Sequence, residues 1–113
     1  MTPGKVVLIR LPQAAGGSPK LRPALVLADL PGPYQNLLLC GVSTQLALQQ
    51  PNWDEPISPG DADFKSSGLH QASVIRLSYL YAAGRGEIVG VVGAIDAARL
   101  KRLLTRLSDH LRP

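Results

Sequence analysis

Short apolar segments, each bounded by glycine, proline or a polar turn, follow one another along most of the chain. Segments of this kind, rich in Val, Leu and Ile, are typical of β-strands. The pattern predicts strands at Lys5–Leu11, Pro23–Ala28, Asn36–Thr44, Glu55–Ser58, Ala72–Tyr81 and Glu87–Val92. The fourth contains Pro56, which confines it to a sheet edge because proline has no backbone N–H to donate.

The periodicity changes near the end of the chain. Apolar residues there recur at spacings of three and four, as on one face of a helix, at Leu100, Leu103, Leu104, Leu107 and Leu111. Asp96 stands where an N-cap is expected. Consecutive strands joined by tight turns favour antiparallel pairing, and no helices alternate with the strands. We therefore predict a mainly β fold, a small barrel or two packed half-sheets, closed by one C-terminal α-helix.

Composition limits the class of protein. The 113 residues are 45% hydrophobic and 18% charged, which excludes a disordered chain, and no apolar run reaches the ~18 residues of a membrane span. The N-terminus lacks a secretory signal pattern, and a single cysteine, Cys40, excludes an internal disulfide, so we expect a cytoplasmic protein without membrane association. No metal-ligand spacing is present, and we expect no metal and no other cofactor.

The charge is concentrated at one end of the chain. Of the net charge of +4, most comes from residues 96–113, which hold five basic and two acidic side chains. We expect the basic face of the predicted helix to be solvated; the alternative is that it attracts an anionic partner, RNA or an acidic protein.

The junction between residues 12–21 and the second strand is the first candidate for chemistry. Arg22 precedes Pro23, whose ring restricts the arginine to extended backbone angles. A guanidinium held at such a junction is suited to bidentate contact with a phosphate. An ordinary arginine at a strand edge would have the same sequence.

The end of the third strand carries the second candidate. In an extended strand Leu38, Cys40, Val42 and Thr44 share one face, which we assign to the core. Ser43 then points outward, over the gap left by Gly41. A strand that simply ends in hydroxyl residues is the other interpretation. Cys40 is expected to be a small buried residue rather than a nucleophile.

Four segments together resemble the MazF/PemK-type toxins of bacterial type II toxin–antitoxin systems. They are Gly4–Leu8 (GKVVL), Lys20–Leu27 (KLRPALVL), Ser43–Gln45 (STQ) and Gly68–Leu77 (GLHQASVIRL). The resemblance extends over nearly the whole chain. Its most specific part is the RPALVL segment followed, in the right order and spacing, by the segments Ser43–Gln45 and Gly68–Leu77.

The resemblance implies a single domain over residues 1–113, folded as a small SH3-like antiparallel barrel and assembled as a homodimer. It also implies a metal-independent endoribonuclease that cleaves single-stranded RNA at specific short sequences. It assigns the catalytic arginine to Arg22 and the catalytic hydroxyl to Ser43, where the family has threonine; Thr44 is the second choice. A cognate antitoxin with an acidic segment that folds over the toxin groove is the implied partner.

Single-stranded RNA is usually bound by a basic groove with stacking aromatic residues. On this basis RNA contacts are predicted for Ser18, Lys20, Gln45, Trp53, Arg76 and Arg85. Trp53 is the predicted stacking residue, with the edge of the core as its alternative position, whereas Phe64, Tyr79 and Tyr81 are expected in the core or at dimer contacts. No general base stands out; Asp54, Glu55 and His70 are candidates, and each is also consistent with a plain surface position.

Two functions without catalysis remain as alternatives. The same barrel could inhibit a protein target, as CcdB-like toxins do, or bind RNA or an antitoxin after loss of activity. The arginine–proline junction, combined with the hydroxyl triplet, favours the ribonuclease over a CcdB-like inhibitor. Because serine stands where the family has threonine, an inactive homologue remains an alternative.

Overall fold

The computed structural model describes residues 1–11 and 20–112. In chain order its elements are β1 (Lys5–Leu11), β2 (Lys20–Asp29), β3 (Asn36–Ser43), β4 (Glu55–Ile57), α1 (Phe64–Ser67), β5 (Ser73–Gly84), β6 (Ile88–Ala94) and α2 (Ala97–Leu111). The strands form one antiparallel sheet in the order β4-β5-β3-β2-β1-β6. The predicted mainly β fold with a C-terminal helix is confirmed, although the sheet is not closed by pairing between β4 and β6 within the described residues.

Both faces of the central strand are buried, which the alternation argument did not predict. Cys40 and Val42 lie in the main core beneath α2, as expected. Leu37 and Leu39, on the opposite face, are buried in a second core that β1 and β2 also supply. Four register shifts interrupt three of the strand pairings, and such bulges bend a sheet. Only the end of β3 nearest Ser43 therefore keeps an accessible second face.

Helix α1 packs closely against one edge of the sheet, strand β6. The approach is so close that a Cβ added at Gly93 would meet the Ser66 and Ser67 backbone below 3.0 Å. Gly68 ends α1 with φ +77°, and an added Cβ there would meet the Val92 carbonyl group below 3.0 Å. Two glycines at this seam thus allow backbone to pack directly on backbone.

Helix α2 is attached to the sheet by a buried arginine. Arg99 is only 7% exposed, and its Nε and Nη2 donate to the two carboxylate oxygens of Asp63 at 2.8 and 3.0 Å. The same guanidinium donates to Asp61 and to the Pro56 carbonyl, each at 3.0 Å. Burial acts to raise the pKa of Asp63 and to lower that of Arg99. Their mutual hydrogen bonds and charges outweigh it, so the pKa of Asp63 is lowered and that of Arg99 raised.

The basic face of α2 is therefore less solvated than its sequence suggests. Besides Arg99, Arg102 binds Glu55 at 2.6 Å and Arg106 donates to the Trp53 carbonyl at 3.0 Å. The predicted N-cap is confirmed, because Asp96 accepts the Arg99 backbone N–H at 2.8 Å. Among the described residues, no helix is long and apolar enough to cross a membrane.

Candidate active site

The ends of β2 and β3 border a cleft of about 210 Å³. Its lining brings together residues from three separate segments of the sequence: Arg22, Pro23, Gly41, Val42, Ser43, Thr44, Gln45, Leu48, Arg76 and Tyr79. Arg22, Ser43, Thr44, Gln45 and Arg76 had all been singled out from the sequence. The structure thus places five of the candidate residues around one accessible space.

Strand register explains why Arg22 meets Ser43. The last pair of the β2–β3 ladder is Ala24 with Gly41. Continued by two residues along each antiparallel strand, that register puts Arg22 and Ser43 on the same face of the sheet. Pro23, between Arg22 and Ala24 in β2, restricts Arg22 to an extended conformation and has no backbone N–H to donate. The side chains of Arg22 and Ser43 therefore line the same cleft.

The hydroxyl of Ser43 is oriented by the backbone. Its Oγ accepts the Gln45 N–H at 3.1 Å, which leaves its proton available for an acceptor in the cleft. Thr44 is exposed and also lines the cleft, although alternation would place it on the other face. β3 ends at Ser43, so the alternation no longer applies one residue later. Both hydroxyl groups consequently reach the cleft.

Arg76 and Tyr79 enter the cleft through a bulge in β5. The β3–β5 register jumps from Cys40–Leu80 to Gly41–Arg76, so Leu77, Ser78 and Tyr79 have no partners in that ladder. In a regular strand, residues three apart face opposite sides; the bulge turns Arg76 and Tyr79 to the same side. Tyr79, expected in the core or at a dimer contact, is 43% exposed here, and no pattern in the sequence predicts such a bulge.

A buried carboxylate holds this bulge in place. Asp54, 4% exposed, accepts hydrogen bonds from the Ser78 N–H at 2.9 Å and the Ser78 hydroxyl at 2.8 Å. It also accepts the Gln50 N–H at 2.8 Å. Asp54 is thus committed to structure and does not line the cleft.

The other two candidate bases also lie elsewhere. Glu55 is paired with Arg102 and Arg99 beside α2, and His70 is exposed outside the cleft lining. In the described part of the cleft there is no aspartate, glutamate or histidine. Its titratable side chains there are the two guanidiniums and the Tyr79 phenol, so the cleft is positively charged.

Three of the predicted RNA contacts, Trp53, Arg85 and Lys20, are not brought to the described cleft. Trp53 is half-buried against the main core, with its ring centroid 4.9 Å from that of His110, so the core-edge interpretation is the correct one. Arg85 lies in the turn after β5, 3.5 Å from Asp29. Lys20 is exposed at the start of β2 but is not part of the lining. Ser18 falls outside the described residues.

Cys40 is unsuited to nucleophilic chemistry. It is fully buried in the main core, and burial together with the negative charge of Asp54 raises the pKa of its thiol to about 12. The expectation of a small buried residue is confirmed. Across residues 1–11 and 20–112, no group of three or more His, Cys, Asp or Glu side chains is placed to hold a metal ion.

Comparison with known proteins gives this cleft a context. The fold is similar to that of the Mycobacterium tuberculosis toxin MazF-mt6, with a TM-score of 0.68, 16% sequence identity and 95% of each chain covered. No curated protein sequence is significantly similar to this chain. The model of the PemK-like, MazF-like toxins matches residues 2–111, nearly the whole sequence. The chain therefore belongs to the family of PemK-like, MazF-like toxins of type II toxin–antitoxin systems.

Proposed function

We propose that this toxin is a metal-independent endoribonuclease that cleaves single-stranded RNA at specific short sequences, with its active site in the cleft around Arg22 and Ser43. One observation carries the proposal: Arg22, Arg76 and Ser43 line one accessible cleft, and its described lining contains no carboxylate. Two fixed cations with hydroxyl donors suit an RNA phosphate. The same arrangement would repel neither the phosphate nor its more highly charged transition state.

The reaction that fits this cleft uses the RNA's own 2′-hydroxyl. Its oxygen attacks the adjacent phosphorus and loses its proton; the bond from phosphorus to the 5′-oxygen breaks, and that oxygen gains a proton. The products are a 2′,3′-cyclic phosphate and a 5′-hydroxyl end. The pentacoordinate phosphorane carries more negative charge than the starting phosphodiester, so groups that bind that charge lower the barrier.

Each residue then has a defined task. Arg22 binds a non-bridging oxygen and the developing charge, and because arginine stays protonated it does not serve as the base. Ser43, oriented by the Gln45 N–H, donates a hydrogen bond from its hydroxyl group to a second non-bridging oxygen. Thr44 lies next to it as the alternative donor. Removing one such donor typically lowers the rate ~10²–10³-fold.

The partners follow from the same charge. An antitoxin with an acidic segment would compete with RNA for the cleft, since both present anions to Arg22 and Arg76. We also propose that the toxin is a homodimer. Exposed aliphatic side chains on the edge strand β6, at Val89, Val91 and Val92, are consistent with a covered surface there.

Purified protein incubated with a long single-stranded RNA in EDTA tests the proposal. We expect cleavage that leaves 5′-hydroxyl ends, a loss of at least ~10²-fold in Arg22→Ala, and a loss of ~10²–10³-fold in Ser43→Ala. Arg112→Ala, which removes an exposed arginine at the end of α2, is the matched control and should cleave normally. Binding without cleavage would indicate an inactive homologue. The absence of both RNA binding and RNA cleavage would favour an inhibitor of a protein target.

A further inference from the structure

We propose that Tyr79 is the aromatic platform of this cleft, on which a nucleobase next to the scissile phosphate stacks. The inference deepens the proposed function and rests on it for the identity of the ligand. It replaces Trp53, the stacking residue predicted from the sequence, which the fold packs against α2 instead.

The position of the ring is the first argument. Of the described lining residues, Tyr79 alone is aromatic. Its ring lies across Gly41, where an added Cβ would stand 3.5 Å from Cγ of the tyrosine. The side chain nevertheless stays 43% exposed, although a large aromatic residue is usually more buried. The ring therefore rests on the cleft floor and keeps accessible surface on the side where RNA would enter.

The neighbouring cation is the second argument. The Arg76 Cζ lies 5.7 Å from the Tyr79 ring centroid, within cation–π distance. A nucleotide carries its base and its phosphate on the same sugar, so a site that binds both needs a ring beside a cation. Arg76 and Tyr79 provide this pair, and Arg22 and Ser43 line the same cleft. One nucleotide can thus be bound at its base while the next phosphate reaches the catalytic groups.

The rigidity of the support is the third argument. The residue before Tyr79 is bonded through both its N–H and its hydroxyl to the buried Asp54. The ring also meets Tyr81 in an edge-to-face arrangement, with centroids 5.3 Å apart and planes at 81°. A ring held before the ligand arrives loses little conformational entropy on binding. Such a platform favours unpaired bases, because bases in a duplex are already stacked on each other.

Abasic scanning combined with substitution tests the platform. The probe is a fluorescein-labelled RNA decamer that spans the mapped cleavage site and carries 2′-O-methyl groups, which block cleavage because the nucleophile is methylated. Each base is removed in turn, and affinity is measured by fluorescence anisotropy. Tyr79→Ala should weaken binding of the intact decamer about 5- to 150-fold, the equivalent of about 1–3 kcal/mol for one stacked base. Loss of the stacked base should weaken wild-type binding by a similar factor but leave Tyr79→Ala unaffected.

The controls separate stacking from other effects. Tyr34→Ala removes a tyrosine that is 80% exposed and outside the cleft lining, and should bind like wild type. Tyr79→Phe should recover the binding that Tyr79→Ala loses, since the ring and not the phenol is responsible. An abasic profile in Tyr79→Ala that matches wild type at every position would overturn the platform.

The outcome also distinguishes this inference from the proposed function. If long RNA is not cleaved, the decamer is taken from a mixed-sequence 2′-O-methyl pool by selecting the tightest binder. If removal of one base weakens binding to wild type but not to Tyr79→Ala, and no RNA is cleaved, the platform is supported and the ribonuclease activity is refuted. Cleavage of RNA without such a base position would support the ribonuclease activity and refute the platform. A wild-type protein that binds no RNA would overturn both proposals.

Discussion

The seam between α1 and β6 offers the sharpest test of the fold, through the substitution Gly93→Ala. A Cβ at this position would approach the Ser66 carbonyl oxygen and the Ser67 carbonyl group, all below 3.0 Å. These are backbone atoms, so no side-chain rotation can relieve the overlap. The helix must move away from the strand, or the strand must bend.

The expected cost can be estimated from the contacts that would be lost. Forcing one extra carbon into a closely packed site typically costs about 1–3 kcal/mol. Movement of α1 would also break the hydrogen bond from the Ser66 hydroxyl to the Ala94 carbonyl, 3.0 Å long, which contributes about 1 kcal/mol. We therefore expect Gly93→Ala to lower the free energy of unfolding by about 2–4 kcal/mol.

Gly90→Ala on the same strand is the matched control. An added Cβ at Gly90 meets nothing within 4 Å, and its φ is not positive. The alanine reduces the conformational entropy of the unfolded chain, so stability should be unchanged or increase by up to about 1 kcal/mol.

Urea unfolding followed by far-UV circular dichroism measures both variants. The midpoint should fall in Gly93→Ala without a change in the slope of free energy against urea. At roughly 4 °C for each kcal/mol in a domain of this size, its Tm should fall by about 8–16 °C. A free energy of unfolding for Gly93→Ala within about 0.5 kcal/mol of that for Gly90→Ala would refute the close approach of α1 to β6.

Three further predictions concern buried polar groups. Arg99→Met leaves the Asp63 carboxylate buried without its partner, and urea unfolding should show a loss of about 3–5 kcal/mol. Since the folded pKa of Asp63 lies below its ordinary value of 3.8, the wild-type free energy of unfolding should fall as the pH drops through and below that value. This fall should be smaller in Arg99→Met. A difference in stability between wild type and Arg99→Met that is the same at pH 3 as at pH 7 in urea would contradict the pairing. Cys40, with its thiol pKa raised to about 12 by burial, should react with an aromatic disulfide reagent only after unfolding, and rapid reaction of the native protein would contradict the assigned burial. Asp54→Ala removes the acceptor of both Ser78 hydrogen bonds and should cost about 3–5 kcal/mol in urea, whereas a loss below 1 kcal/mol would show that the bulge does not depend on it.

The elements and the orientation of two candidate site residues could be predicted from local sequence. Strand and helix periodicity depends on neighbouring residues, so Lys5–Leu11 was placed with its observed bounds and the leucine stripe correctly indicated α2. The position of Arg22 depends on the proline that follows it, and that of Ser43 on strand alternation from Gly41. Both constraints act within a few residues, which is why each group could be oriented from the sequence, whereas only the family resemblance joined the two in one site.

What lay beyond prediction depends on contacts between residues far apart in the chain. The bulge that carries Tyr79 into the cleft is held by Asp54, 24 residues before Ser78, and local periodicity contains no sign of it. Arg99 looked like a solvated helix residue because its partner Asp63 lies 36 residues away. Trp53 was predicted to stack on RNA because its sequence neighbours are those of a polar loop, but α2 provides an apolar surface that covers it. Short-range rules determine where strands, helices and turns form; only the packing of distant segments decides which side chains share a cleft, because that depends on three-dimensional complementarity between them.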